Sequence, residues 1–184
     1  MNLKNDPHYQ IVQKFYGDRR AQRSDVLYIQ HINEGLFVLE AIQATLGARQ
    51  AYCLHPMVQG DPELASAFQP DSLLHQFPIS HYAIALAIEY RWVANGYLST
   101  RNINTLDEVK LSPLPDVQQM LIADKVQNRK DFERYLKTTH PKAVELDQYF
   151  RNWLEILKIS EADYQGFVKQ LDAAYPSEMH KNAH

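Results

Sequence analysis

Ala51-Tyr52-Cys53-Leu54-His55-Pro56-Met57-Val58-Gln59-Gly60 is the stretch on which the reading of this 184-residue chain turns. Its first half is apolar and continues a short helix expected over Ala48 to Leu54. Proline disfavours helical geometry in the residue before it, so His55 is expected at or just past the end of that helix. A polar, ligand-capable imidazole thus closes an apolar element. Strand signals are nearly absent here and throughout the chain, and apolar residues recur at helical spacing instead.

Working outward, the N-terminal side offers a helix from about Pro7 to Tyr16, then a loop carrying Arg19, Arg20 and Arg23. A second helix begins near Gln30, with Ile32, Leu36, Leu39 and Gln43 on one stripe. It is expected to stop at Leu46-Gly47, where glycine can serve as a C-terminal cap. On the C-terminal side, residues 56–79 are punctuated by Pro56, Pro62, Pro70 and Pro78, with a short helix expected from Pro62 to Phe68. A long helix follows from about Ser80 to Leu98, with Tyr82, Ala85, Ile88, Trp92 and Asn95 on one face.

The next helix starts near Pro115, a residue accepted in a first turn, and runs to about Tyr135. Val117, Leu121, Asp124, Asn128 and Phe132 share one of its faces. Another spans Pro141 to Leu157 with Leu146, Tyr149, Phe150, Trp153 and Leu157 buried. Ser160 with Asp163 resembles a capping box for a last helix ending near Tyr175. The expectation is an all-α bundle, one domain over residues 1–175, followed by a flexible tail over 176–184.

Composition bounds the function classes. Apolar residues make up 45% and charged residues 22%, ordinary for a globular protein. A net charge of −3 argues against a general nucleic-acid binder, which shows a basic excess or stripe. The single cysteine, Cys53, rules out an internal disulfide and lies in an apolar run, as a small core residue would. No segment reads as a signal peptide. None approaches the ~20 apolar residues of a membrane span. A cytoplasmic location is therefore expected, without membrane association.

Three places put polar residues where the pattern predicts burial. His31 and Glu34 are neighbours on one helix. His55 ends an apolar helix. Asp124 and Asn128 share the apolar face of Leu121 and Phe132. A buried carboxylate needs a partner or a cation, and two histidines with one carboxylate suit a divalent ion. Each could equally be a hydrogen-bonded core residue, because neither an HExxH nor a paired CxxC is present.

Ser24-Asp25-Val26-Leu27-Tyr28-Ile29-Gln30-His31-Ile32, the Leu46-Gly47 pair, the stretch around His55 and Ala123-Asp124-Lys125-Val126-Gln127-Asn128-Arg129 occur in an order that is similar to the HD domain of the (p)ppGpp hydrolases of the stringent response. The chain thus resembles the HD superfamily of metal-dependent phosphohydrolases, with the defining His-Asp pair written His55-Pro56. The resemblance implies a helical HD-like bundle and a divalent cation (Mn, Fe or Zn) held by His31, His55 and Asp124. The family's acidic pair falls on Gln59 and Gly60, and Gln cannot take a proton as Glu does.

Three readings follow. In the first, the chain remains a phosphohydrolase, with Glu34, Asp61, His75 or His81 replacing the lost carboxylates and Gln59 and Asn128 in the site. In the second, it binds a nucleotide or other small phosphorylated ligand without cleaving it, using Arg19, Arg20, Arg23, Lys125 and Arg129 for phosphate and Tyr28 as a stacking face. In the third, the fold is a protein-interaction scaffold. His140 lies in a turn that could reach the same pocket. Glu89, Tyr90 and Arg91 either line the pocket or form an ion pair outside it.

Overall fold

The computed structural model describes residues 3–22, 24–59, 75, 77–100, 106 and 109–176. The protein is all-α. The expected helix over Pro62 to Phe68, Arg23, Gly60, Asp61 and nearly all of the expected tail lie outside the described residues. Among those described, no helix is long and apolar enough to cross a membrane.

After a short 3-10 turn, α1 (Pro7–Tyr16) starts where Asp6 accepts a hydrogen bond from the His8 N–H and Pro7 fills the first turn. It ends at Gly17, whose positive φ of 52° suits a residue without Cβ. The loop that follows is pinned by Ala21 N–H to the Val26 carbonyl at 2.8 Å and Tyr28 N–H to the Arg19 carbonyl at 3.0 Å. That closure delivers the chain into α2 (Tyr28–Ala41) with the rings of Tyr16 and Tyr28 stacked, centroids 5.3 Å apart.

Helix α2 does not reach Leu46-Gly47. It ends at Ala41, and Gln43, with φ of 54°, takes the left-handed turn instead of Gly47. Thr45 then caps α3 (Leu46–Val58), its hydroxyl accepting from the Ala48 N–H at 3.0 Å. Gly47 belongs to the first turn of α3, where an added Cβ would lie 2.9 Å from the Tyr82 ring and 3.2 Å from an Asp116 oxygen. Close approach of neighbouring side chains, not helix termination, is the reason for glycine there.

A second expectation also fails. His55 is inside α3, which continues through Pro56 to Val58. A proline in the last turn forfeits a single i→i−4 bond, and the surrounding burial of Leu54, His55, Met57 and Val58 holds the helix together past it.

Helix α4 (His81–Thr100) packs along α3. Its buried residues are Ala83, Ile84, Leu86, Ala87, Tyr90, Ala94 and Tyr97, whereas Tyr82 and Trp92 from the expected face are exposed. The helix is apolar around most of its circumference, so spacing alone does not fix which side turns inward; packing on α3 does.

Helix α5 (Pro115–Asp131) is the centre of the molecule, touching α2, α3, α4, α6 (Ala143–Ile156) and α7 (Glu161–Ala174). A π-helical turn over Phe132–Leu136 leads out of it. Val117, Met120, Leu121, Ala123 and Val126 supply its apolar packing, but Asp124, Lys125, Gln127, Arg129 and Lys130 are buried as well. In α6, Tyr149, Phe150, Trp153 and the following Leu157 are buried as expected, and Leu146 is half-buried. Ser160 and Asp163 form the expected capping box at the start of α7.

Candidate metal centre

Three elements bring the site together. His31 comes from the first turn of α2, His55 from the last turn of α3 and Asp124 from the middle of α5. His31 Nε2 lies 3.2 Å from His55 Nε2 and 3.6 Å from Asp124 Oδ1, and His55 Nε2 lies 3.9 Å from the same oxygen. The circle through these three atoms has a radius of about 2.1 Å, the length of a bond from zinc to nitrogen or oxygen. The three residues form a cluster that could hold a metal ion.

The hydrogen bonds behind each histidine decide which nitrogen faces inward. His55 Nδ1 donates to the Tyr52 carbonyl at 2.6 Å. His31 Nδ1 donates to Gln127 Oε1 at 2.6 Å. The orientation of the Gln127 amide follows from its other end, where Nε2 donates to Asp131 Oδ2 at 2.6 Å and Glu34 Oε2 at 3.4 Å. Both imidazoles therefore carry a proton on Nδ1 and turn Nε2 toward Asp124, so that in the neutral form of each ring the free lone pair is on Nε2. Two lone pairs and a carboxylate oxygen facing one another make a hole suited to a cation. Protonating His55 does not resolve it readily, since burial lowers its pKa to about 3.

Asp124 is itself held in place. Lys125 Nζ donates to Oδ2 and Asn128 Nδ2 to Oδ1, both at 2.8 Å. Tyr90 is buried beside it, and the Tyr90 ring stands edge-on to His55 at 5.0 Å. Burial works to raise the Asp124 pKa, but the Lys125 ammonium, with the hydrogen bond it donates, outweighs it and holds the carboxyl below its usual range.

The cluster opens into a cavity of about 330 Å³ whose wall includes Tyr16, Tyr28, Gln59, Gln127, Asn128 and Asp131. Of the residues singled out from the sequence, Tyr28, His31, His55, Gln59, Asp124 and Asn128 thus share one place. Others do not. Glu34 is buried behind His31, paired with Lys130 Nζ at 2.7 Å, and reaches the histidine only through Gln127.

The cations expected to hold phosphate point elsewhere. Lys125 turns inward to Asp124 and lies over the rings of Tyr149 and Trp153 at 5.5 and 5.3 Å. Arg129 forms a bidentate pair with Glu161 at 2.9 Å and a bond to Glu133, with its guanidinium 3.9 Å from the Tyr164 ring centroid. Arg19 bonds the Phe15 and Tyr16 carbonyls and Arg20 the Asp25 carbonyl, on the loop before α2.

His75 and His81 are exposed, and His140 accepts from the Lys142 N–H in its own turn; none of the three lines the cavity. Glu89 accepts from the Ser112 hydroxyl and Arg91 donates to the Val58 carbonyl, so of that trio only Tyr90 reaches the site.

The sequence reading passed over Asp131 and Gln127. Their signal was present: Asp124, Gln127, Asn128 and Asp131 follow i, i+3, i+4, i+7 spacing and lie on one face of α5. Tyr16 carried no comparable signal, because only the loop closure after α1 brings it to the cavity. Comparisons with protein-family models, curated proteins and solved structures find no match to this chain.

Proposed function

We propose that this chain is a divergent HD-type metal-dependent phosphohydrolase-like protein that acts on or binds a nucleotide-type phosphate ester. The observation that carries the reading is the convergence of His31 Nε2, His55 Nε2 and Asp124 Oδ1 at the edge lengths of a metal polyhedron. A bound Mn, Fe or Zn would supply Lewis acidity toward phosphate and a water of lowered pKa. His31 and His55 would hold it through Nε2, and Asp124 would supply the one negative charge among the ligands.

Asp131 is the cavity carboxylate able to accept a proton, with Gln127 bonded to its Oδ2 and Lys130 3.0 Å from its Oδ1. Gln59 and Asn128 can donate amide hydrogens to a ligand oxygen. Tyr28, backed by Tyr16, offers an aromatic face for a base. With Lys125 and Arg129 engaged internally, a phosphate would be drawn by the metal rather than by either of these two cations.

A second reading, a catalytically degenerate module that binds a phosphorylated ligand or a protein, is favoured by Pro56 and Gln59. They stand where the resembled family keeps a metal-binding and a proton-accepting carboxylate. Elemental analysis tests the shared premise: about one equivalent of Mn, Fe or Zn is expected in the purified protein and is lost in His31→Ala. No bound metal under any divalent-ion condition removes the hydrolase reading. A nucleotide panel including ppGpp then separates the two, since turnover supports the enzyme and a thermal shift without turnover supports the binding module.

A further inference from the structure

Pro56 lies inside α3, and its position in the helix has a specific consequence. In an uninterrupted helix the N–H of residue 56 would donate to the carbonyl of residue 52. Proline has no N–H, and its ring crowds that same carbonyl. Tyr52 O is therefore an orphaned acceptor in the helix interior, flanked by fully buried residues. The group that takes it is the His55 imidazole, with Nδ1 donating at 2.6 Å. That single bond places the proton on Nδ1 and leaves Nε2 bare, 3.2 Å from His31 Nε2 and 3.9 Å from Asp124 Oδ1.

We propose that Pro56 is a positioning residue: by withholding the backbone N–H that would bond Tyr52 O, it leaves that carbonyl to orient His55 for metal binding. The proline is then not simply a lost carboxylate. It exchanges a possible ligand for a fixed tautomer and ring direction on the remaining one. Orientation of a ligating histidine through its second nitrogen is a general determinant of metal affinity, and loss of such a partner weakens binding about 10–100-fold.

The metal arm of this role rests on the reading of His31, His55 and Asp124 as ligands; the tautomer arm does not. The variant is Pro56→Ala, which restores the competing N–H. Two measurements are made on the full chain. One is 15N NMR of the His55 ring in metal-free protein. The other is Zn2+ affinity by competition with a chromophoric chelator, with His31→Ala as the reference for loss of the site.

In the unmodified protein the His55 proton is expected on Nδ1. In Pro56→Ala the Nε2-protonated form gains population and the Kd for Zn2+ rises about tenfold, the low end because a carbonyl has two lone pairs. The melting temperature is expected not to fall, since a helical hydrogen bond is regained; a merely structural proline would leave affinity and tautomer unmoved. A Kd within twofold of the unmodified protein overturns the proposal, as does His55 carrying its proton on Nε2 before any substitution. If neither the unmodified protein nor His31→Ala binds Zn2+, the metal reading has failed, and the tautomer comparison alone decides the role of Pro56.

Discussion

Gly35 sits in the middle of α2, where glycine is worth roughly 0.5–1 kcal/mol less than alanine in an ordinary helix. Its presence is explained by Tyr52 of α3. A Cβ built on Gly35 would lie 2.1 Å from the Tyr52 hydroxyl oxygen and 2.2 Å from two ring carbons. These separations fall more than about 1 Å inside van der Waals contact, and Tyr52 is fully buried, with the His31 and His55 rings at 5.7 and 4.6 Å.

The ring cannot swing away without displacing the candidate ligands. Overpacking of a closed core costs about 1–3 kcal/mol, more where nothing can yield. Offset by about 1 kcal/mol of helix propensity, Gly35→Ala is expected to destabilise the protein by about 2 kcal/mol. For a chain of this size that lowers Tm by about 4–8 °C. The assay is urea unfolding followed by far-UV circular dichroism, in the unmodified and Tyr52→Leu backgrounds. With the ring gone, the same alanine should be neutral or stabilising by up to about 1 kcal/mol. A Gly35→Ala protein as stable as its parent, or an equal loss in both backgrounds, would refute the claim that Tyr52 dictates this glycine.

Three further outcomes are expected. Lys130→Met strands two carboxylates, Glu34 and Asp131, that its ammonium contacts at 2.7 and 3.0 Å; it should cost about 3–5 kcal/mol in chemical unfolding, and Glu34→Gln in the same background should recover part of that. Cys53 is fully buried, and burial pushes its thiol pKa up; a disulfide reagent should leave it unmodified in the native protein and react once urea unfolds the chain.

Burial tends to raise the Asp6 pKa, but hydrogen bonds from Gln50 and His8 outweigh it and hold the carboxyl below its ordinary value of 3.8. Its stabilising contribution is therefore present above that value and lost as pH falls through the lowered folded-state pKa. Asp6→Asn should flatten the acid limb of the stability curve below about pH 4 while lowering stability near neutrality, as read by thermal melts across pH.

The sequence alone determined the elements whose signals are local. Pro7 and Pro115 mark helix starts because a first-turn proline acts on the adjacent backbone, and Ser160 with Asp163 satisfies the first turn of α7 without help from elsewhere. The shared face of Val117, Leu121, Asp124 and Phe132 was equally legible, because helical spacing fixes it before any neighbour packs. His31, His55 and Asp124 stood out as ligand-capable groups at positions where burial was expected.

What only the tertiary structure decided is which way polar groups turn once α5 is enclosed by its neighbours. Lys125 and Arg129 were expected to reach for phosphate, yet burial forces each of them, and Lys130 as well, to find an internal counter-charge, on Asp124, on Glu133 and Glu161, and on Glu34 and Asp131. The inward side of α4 was set by contact with α3, since a helix apolar on most sides carries no phase of its own. The most consequential case is His55. The preference of a pre-proline residue for extended backbone is weak compared with the burial of the last turn of α3. The histidine therefore stays helical, and the carbonyl left without its backbone donor turns His55 Nε2 toward His31 and Asp124.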